Sequence, residues 1–150
     1  MKIHTQYNKK VNLNTSCAHS FSYLSSIEDH VTRHFPGVRS VKAAGHSVLH
    51  WQFDRLEVKG LGIDIECFTR TKVEPKQIAI QAIPEKGNAQ LSATWKLEET
   101  SPERSSLSFD AEFTLEMNIP FWLSKIALPF AQHEISKLFD RYLLNVEKTL

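Results

Sequence analysis

The chain has 150 residues, of which 41% are hydrophobic and 23% charged, and its 18 Lys and Arg nearly balance its 17 Asp and Glu. This length and composition are typical of a single globular domain with one core and exclude a disordered or fibrous protein. Because the charges are interspersed along the chain, we expect no basic field that would attract nucleic acid or anionic lipid.

The sequence also bears on compartment and cofactors. No segment approaches the ~20 continuous apolar residues of a membrane span, and the first residues lack the apolar region of a signal peptide. Cys17 and Cys67 form neither a CxxC motif nor part of a metal-like cluster. We therefore expect a cytoplasmic protein with no transmembrane segment, no disulfide framework and no cofactor.

The N-terminal part predicts one strand followed by two short helices. Apolar and polar residues alternate from Lys2 to Leu13, which is the period of a half-buried strand. Residues 14–16 are good N-caps for a first helix, and Ser26, with Asp29 three residues later, resembles a capping box for a second. The residues 35–37, Phe-Pro-Gly, end that second helix near position 34.

The middle of the chain predicts a meander of antiparallel strands. β-branched and aromatic residues occur there in runs that are separated by short turn segments. In the last two runs, apolar residues such as Trp95 and Phe109 alternate with polar residues such as Thr94 and Asp110, so one face of the sheet is dry. We predict six strands after the first, at 38–44, 47–57, 61–73, 76–83, 89–99 and 105–117.

The C-terminal part predicts one long amphipathic helix over residues 121–148. Its apolar residues recur at three-four spacing. Pro120 suits the start of the helix, whereas Pro129 lies inside it and removes a backbone hydrogen bond. We therefore expect a kink or a break near residues 128–130.

Several short segments carry a family resemblance that covers nearly the whole chain. They are Phe21-Ser22-Tyr23-Leu24, HVTRHFPGV at residues 30–38, His50-Trp51, Ala93-Thr94-Trp95 and Pro120-Phe121-Trp122-Leu123. In their order, and with the order of predicted elements, the chain resembles the START-like helix-grip superfamily (SRPBCC). That superfamily includes START lipid-transfer domains, polyketide cyclases and aromatases, and coenzyme-Q-binding proteins.

The resemblance implies an α+β helix-grip fold, in which a seven-stranded curved antiparallel sheet wraps around the long C-terminal helix. A bent sheet leaves an apolar cavity beneath the helix, where a hydrophobic small molecule would bind. The side chains expected to line this cavity are aromatic or aliphatic and come from both walls. They are Trp51, Trp95, Phe109, Phe113 and Met117 from the sheet and Trp122, Ile126 and Phe130 from the helix.

Two groups of polar residues are candidate chemical sites. His30 and His34 have the spacing of zinc ligands on a helix, but no HExxH motif accompanies them, and a pair of surface histidines is the simpler interpretation. His50 and Asp54 alternate with Trp51 and Phe53, so we expect His50 to face solvent. The chain has no GxSxG, GxGxxG or phosphate-loop motif.

Three functions are compatible with these features. The first is the binding or carriage of a lipid, isoprenoid or polyketide-like molecule. The alternative is a polyketide cyclase or aromatase type of enzyme that acts on a ligand in the same cavity, for which no catalytic residue stands out. The third is an interaction protein that uses the fold as a scaffold. The aromatic residues are also compatible with ordinary core packing that leaves no cavity large enough for a ligand. The oligomeric state leaves no signature in the sequence.

Overall fold

The computed structural model describes residues 2–58 and 60–150. Three helices form, α1 at Cys17–Ser25, α2 at Ile27–His34 and α3 at Phe121–Thr149. The strands are β1 Lys2–Leu13, β2 Val38–Gly45, β3 Val48–Phe53, β4 Leu56–Val58, β5 Leu61–Ile63, β6 Glu66–Glu74, β7 Gln77–Gly87, β8 Ala89–Ser101 and β9 Arg104–Glu116.

Seven of these strands form one antiparallel sheet in the order β1-β9-β8-β7-β6-β3-β2. Strands that follow one another along the chain are neighbours in the sheet, as the predicted meander requires, and β1 adds to the far edge beside β9. The two short helices follow β1, and α3 ends the chain. The predicted α+β helix-grip architecture is confirmed.

Two of the predicted strands are each divided in two. The expected 47–57 strand ends at Phe53, and the expected 61–73 strand begins its main part at Glu66, while β4 and β5 pair as a separate two-stranded ribbon. The division follows from hydrogen bonding at the end of β3. The amide of Phe53 bonds the Ile65 carbonyl at 3.0 Å, but the next amide, of Asp54, turns away to the Gly37 carbonyl at 2.7 Å.

Of the predicted kink or break near residues 128–130, the break is wrong, because helix α3 continues through Pro129. Loss of one backbone hydrogen bond at a proline is tolerated where the rest of the helix is held by packing. The helix is tied to β1 by the Tyr7 hydroxyl, which donates to Asp140 at 2.5 Å, and by the Gln132 amide, which donates to the His4 carbonyl at 3.0 Å.

The helix starts differ in how they are capped. The Ser16 hydroxyl accepts a hydrogen bond from the His19 amide at 3.1 Å, which is the expected N-cap of α1. Ser26 precedes α2, but its side chain makes no capping bond, so the predicted capping box is wrong. Instead, the Ser26 carbonyl accepts from the amide of His30 at 3.0 Å.

Within residues 2–58 and 60–150, none of the helices is long and apolar enough to cross a membrane.

Candidate functional site

A cavity of about 360 Å³ lies between the sheet and the second half of α3. This volume is within the range of small-molecule pockets in proteins. Its wall is predominantly apolar and combines the α2–β2 connection, the inner face of the sheet and one side of α3. The apolar lining residues are Phe35, Pro36, Phe53, Leu56, Ile65, Leu91, Phe113, Leu115, Ile135, Leu138 and Phe139.

Four charged side chains complete the lining, namely Asp54, Arg55, Glu134 and Arg141. Asp54, Arg55 and Arg141 are exposed and Glu134 is half-buried, so these groups mark the mouth of the cavity. Arg55 is held by carboxylates, with its Nε 3.5 Å from an oxygen of Glu57. Since such exposed ion pairs are weak, the charges are available to a polar group of a guest.

The apolar cavity ends in the packed core beneath the centre of the sheet. Phe35, Leu91 and Phe139 line both the cavity and a small void of about 10 Å³ on their other side. That void is too small for more than about one water molecule. The three side chains therefore form the floor of the cavity and separate it from the solid core.

The structure distributes the predicted sheet residues over three places. Phe113 lines the cavity. Trp51, Trp95 and Phe109 are buried around the small void beneath its floor. Met117 is buried but is not part of the lining of either space. That these five side chains contact a ligand stays a prediction.

The three residues of α3 that were predicted to line the cavity lie elsewhere. Trp122, Ile126 and Phe130 are exposed, and none of them lines the cavity. The first half of α3 instead buries Leu123, Ala127 and Ala131. Both sets have helical spacing and both are apolar, so the period of the sequence did not distinguish the inward side from the outward side.

A hydrogen-bonded chain of polar side chains crosses the core next to the floor of the cavity. The indole Nε1 of Trp95 donates to the Tyr142 hydroxyl at 2.9 Å. That hydroxyl lies 2.6 Å from Nε2 of His30, and Nδ1 of His30 lies 3.2 Å from the Ser26 carbonyl. His30, Trp95 and Tyr142 are all buried, so these bonds satisfy polar atoms that water does not reach.

The buried environment keeps the side chains of His30 and Tyr142 uncharged. Burial lowers the pKa of His30 to about 4, an effect that the Ser26 carbonyl partly offsets and the nearby His34 reinforces. Burial also raises the pKa of Tyr142 far above that of a free tyrosine. Both groups are therefore uncharged at neutral pH.

The expectation that His30 and His34 are surface residues is wrong, because both are buried. Nε2 of His34 is hydrogen-bonded to the Tyr23 hydroxyl, as Nε2 of His30 is to Tyr142. Burial, followed by the charge of Arg33, lowers the pKa of His34. Among the residues that the structure describes, no group of three or more His, Cys, Asp or Glu side chains could hold a metal ion.

His50 lies on the outer face of the sheet, as predicted. Its Nε2 is 2.8 Å from a carboxylate oxygen of Glu66, and its ring stacks on Phe68 with 4.3 Å between centroids. Trp51 and Phe53, its neighbours in β3, are buried on the inner face. This histidine is remote from the lining of the cavity.

Another hollow is larger, at about 480 Å³, and lies between the start of α2 and the β2–β3 hairpin. Its lining includes the polar residues Ser25, Ser26, Glu28, Asp29, Ser47 and Thr71. We place the candidate site in the smaller, apolar cavity, because an apolar wall excludes water and holds a hydrophobic guest.

Sequence reasoning missed two features of this site. The charged mouth was missed because Asp54 and Arg141 come from separate parts of the chain, and spacing within one element does not reveal that they converge. Tyr142 fits the three-four spacing of the C-terminal helix, which does not show that its hydroxyl takes part in a buried hydrogen bond. A tyrosine on a buried helix face was itself a signal, since its hydroxyl needs a partner.

Comparisons with known proteins identify the fold. No family model and no curated protein matches the sequence. Among solved structures, a START superfamily protein from Mycobacterium smegmatis matches with a TM-score of 0.69 at 14% identity, over 96% of this chain and 95% of that chain. The ZhuI aromatase/cyclase from Streptomyces sp. R1128 also matches with a TM-score of 0.69 at 14% identity, over 97% of this chain and 93% of that chain.

A third similar structure is norcoclaurine synthase from Thalictrum flavum in complex with dopamine and hydroxybenzaldehyde. It matches with a TM-score of 0.60 at 13% identity, over 99% of this chain and 87% of that chain. At such low identity, the likeness concerns the path of the backbone. The protein described here has the START-like helix-grip (SRPBCC) fold.

Proposed function

We propose that this protein binds a hydrophobic small molecule, of lipid, isoprenoid or polyketide-like type, in the cavity between the sheet and α3. The observation that carries the proposal is the cavity of about 360 Å³ itself, which has eleven apolar side chains and only four charged ones among its lining. An apolar guest gains ~25 cal/mol for each Å² of its surface that leaves water.

The arrangement of charge favours a guest with one polar end. The floor, made by Phe35, Leu91 and Phe139, has no charged group, whereas Asp54 and Arg141 stand at the mouth. An apolar body would lie against the floor, and a polar end would remain near solvent at the mouth. Cys17 and Cys67 are both free and buried, which supports action in a reducing, cytoplasmic compartment.

A cyclase or aromatase type of enzyme is the second candidate. The carboxylates of Asp54 and Glu134 line the cavity and are the groups that could move a proton on a bound molecule. Binding is the better supported function, because the buried pair His30 and Tyr142 has its hydrogen bonds satisfied within the core and does not line the cavity.

The test is a titration with N-phenyl-1-naphthylamine, an uncharged dye that fluoresces in apolar surroundings. The variant Leu138→Trp places a larger side chain in the cavity, and Leu144→Trp makes the same change at an exposed site on the same helix. We expect Leu138→Trp to weaken dye binding at least tenfold and Leu144→Trp to leave it unchanged.

Thermal unfolding of both variants shows whether either has lost its fold. If the folded Leu138→Trp variant binds the dye as the parent protein does, the cavity is not the binding site. Absence of any dye binding by the parent protein would contradict the proposal directly. The variants Asp54→Asn and Glu134→Gln should leave the binding of an uncharged dye within about twofold, because the lining that holds an apolar guest is unchanged.

A further inference from the structure

The first half of α3 presents a contiguous apolar surface to solvent. The exposed fractions are 80% for Phe121, 71% for Trp122, 55% for Ile126 and 47% for Phe130. We call these four residues the aromatic face. Residues 122, 126 and 130 are four apart and lie above one another on a helix, and Phe121 adjoins them. Such a concentration of large apolar side chains marks an interaction surface.

The aromatic face is separate from the core and from the cavity. The neighbouring side of the helix, about 100° away, already buries Leu123, Ala127 and Ala131, so the face is not needed for packing α3 onto the sheet. The lining of the cavity begins one turn after Phe130, at Glu134. The face is therefore accessible to a partner other than a guest of the cavity.

Lys125 is the charged side chain beside the aromatic face, while Glu116 precedes the helix and Glu134 lies one turn beyond Phe130. The chain as a whole is nearly neutral, but residues 117–133 contain Lys125 and His133 and neither Asp nor Glu. The ammonium of Lys125 lies 5.9 Å from the centroid of the Phe121 ring, within the aromatic face. A partner that suits this surface offers apolar area together with negative charge.

A second copy of the chain does not meet this requirement when the two aromatic faces are paired along their full length. In an antiparallel contact between two aromatic faces, the central residue Ile126 would lie against its own equivalent, because Trp122 and Phe130 are spaced evenly on either side. The two Lys125 ammonium groups would then meet at the centre, without a carboxylate in residues 117–133 to neutralise them. Like charges in contact oppose association.

We propose that the aromatic face docks on the surface of a membrane that contains anionic lipid. Tryptophan and phenylalanine favour the boundary between head groups and acyl chains, and a helix with a large apolar side lies in the plane of that boundary. Lys125 would contact lipid phosphates, which contribute about 1 kcal/mol, or roughly fivefold in affinity, per basic residue. This proposal does not require that the cavity hold a ligand.

Trp122 provides the measurement. Trp51 and Trp95 are buried, so of the three tryptophans only Trp122 is exposed to solvent. The protein would be titrated with vesicles of phosphatidylcholine and phosphatidylglycerol in equal parts, and with vesicles of phosphatidylcholine alone. We expect a blue shift of tryptophan emission and co-sedimentation with the anionic vesicles, and at least fivefold weaker binding to the neutral ones.

Variants separate the contributions. Ile126→Glu should abolish sedimentation with anionic vesicles, while Leu144→Glu, at an exposed leucine of the same helix, should not. Lys125→Gln should weaken binding to anionic vesicles roughly fivefold and leave binding to neutral vesicles unchanged. Trp122→Phe should lose the blue shift but still sediment, which shows that the signal comes from this residue.

Two results would overturn the proposal. One is the absence of vesicle binding by the parent protein. The other is self-association in sedimentation velocity that Ile126→Glu abolishes and Leu144→Glu does not, because the aromatic face would then serve a second copy of the chain. Failure of dye binding to the cavity would leave the membrane proposal unaffected, so the two proposals are tested separately.

Discussion

The hydroxyl of Tyr142 lies 2.6 Å from Nε2 of His30 and accepts a hydrogen bond from the indole of Trp95. These contacts fix the tautomer of the imidazole. The Ser26 carbonyl can only accept, so Nδ1 of His30 carries the proton. Nε2 is then an acceptor, and the Tyr142 hydroxyl donates to it. Every donor in this buried chain has an acceptor as long as His30 is neutral.

Stability should fall in mild acid because His30 is buried in its neutral form. Its pKa is lowered from 6.5 to about 4 on folding, so between these values the unfolded chain binds more protons than the folded chain. The contribution is fully present above pH 6.5 and is lost as the pH falls towards 4. We expect a loss of about 2 kcal/mol between pH 8 and pH 5 in the free energy of unfolding from denaturant titrations.

The variant His30→Gln is the control for this pH dependence, since glutamine does not titrate. The loss between pH 8 and pH 5 should shrink by about 2 kcal/mol in this variant, even if its stability at pH 8 is lower. A direct titration of the His30 ring by NMR in the parent protein applies if the variant does not fold. An apparent pKa near 6.5 would contradict the burial argument.

Removal of the Tyr142 hydroxyl should be costly. In Tyr142→Phe, the buried Trp95 N–H loses its acceptor and His30 Nε2 loses its donor, so we expect a loss of at least ~2 kcal/mol in the free energy of unfolding. Tyr7→Phe removes a hydroxyl that bonds the exposed Asp140 and should cost ~1 kcal/mol or less. Equal losses in the two variants would show that the buried hydrogen bonds of Tyr142 do not stabilise the fold more than the exposed one of Tyr7.

Alanine substitutions at two glycines with a left-handed backbone allow the steric cost of an added Cβ to be distinguished from its conformational cost. Gly87 has φ +74°, and a Cβ there would lie 2.4 Å from the Glu66 carbonyl oxygen. Gly60 has φ +82° with open space around it. Gly60→Ala should cost ~1 kcal/mol, and Gly87→Ala substantially more, in thermal or denaturant unfolding. Similar costs would mean that β6 and β7 can move apart at Gly87.

The floor of the cavity can be opened by Leu91→Ala. Leu91 lines both the cavity and the void beneath it, so its truncation joins the two spaces and should cost 2–5 kcal/mol, an order of magnitude typical of buried leucines. The variant should bind longer apolar guests than the parent protein does. Leu97→Ala, at a buried position on the same face of β8, should be similarly destabilising without this change in guest size.

The sheet could be predicted because its two faces differ strongly in burial. In β8 from Ala89 to Leu97, and in β9 from Leu107 to Leu115, every second side chain is buried. Trp95 faces the core while Thr94 does not. A period of two then fixes strand, face and register together. The division of the third and fourth predicted strands was not visible, because it depends on the amide of Asp54 turning to Gly37, a contact between distant residues.

The orientation of α3 near its start could not be predicted from periodicity. Positions 122 and 123 are both apolar, and so are positions 126 and 127, so either of two helix faces could pack against the core. Packing against the sheet buries the side with smaller residues at 127 and 131. The burial of His30 was missed for a related reason, since its partner Tyr142 comes from the far end of the chain.

The pairing of β1 with β9 has a consequence for how the chain folds. Lys2 lies opposite Glu116 and Leu13 opposite Ser105, so the earliest strand to be synthesised has its strand partner among the latest. Closing so long a loop costs entropy before any contact rewards it, and folds rich in such contacts form slowly. During synthesis, β1 must therefore remain unpaired until β9 has left the ribosome.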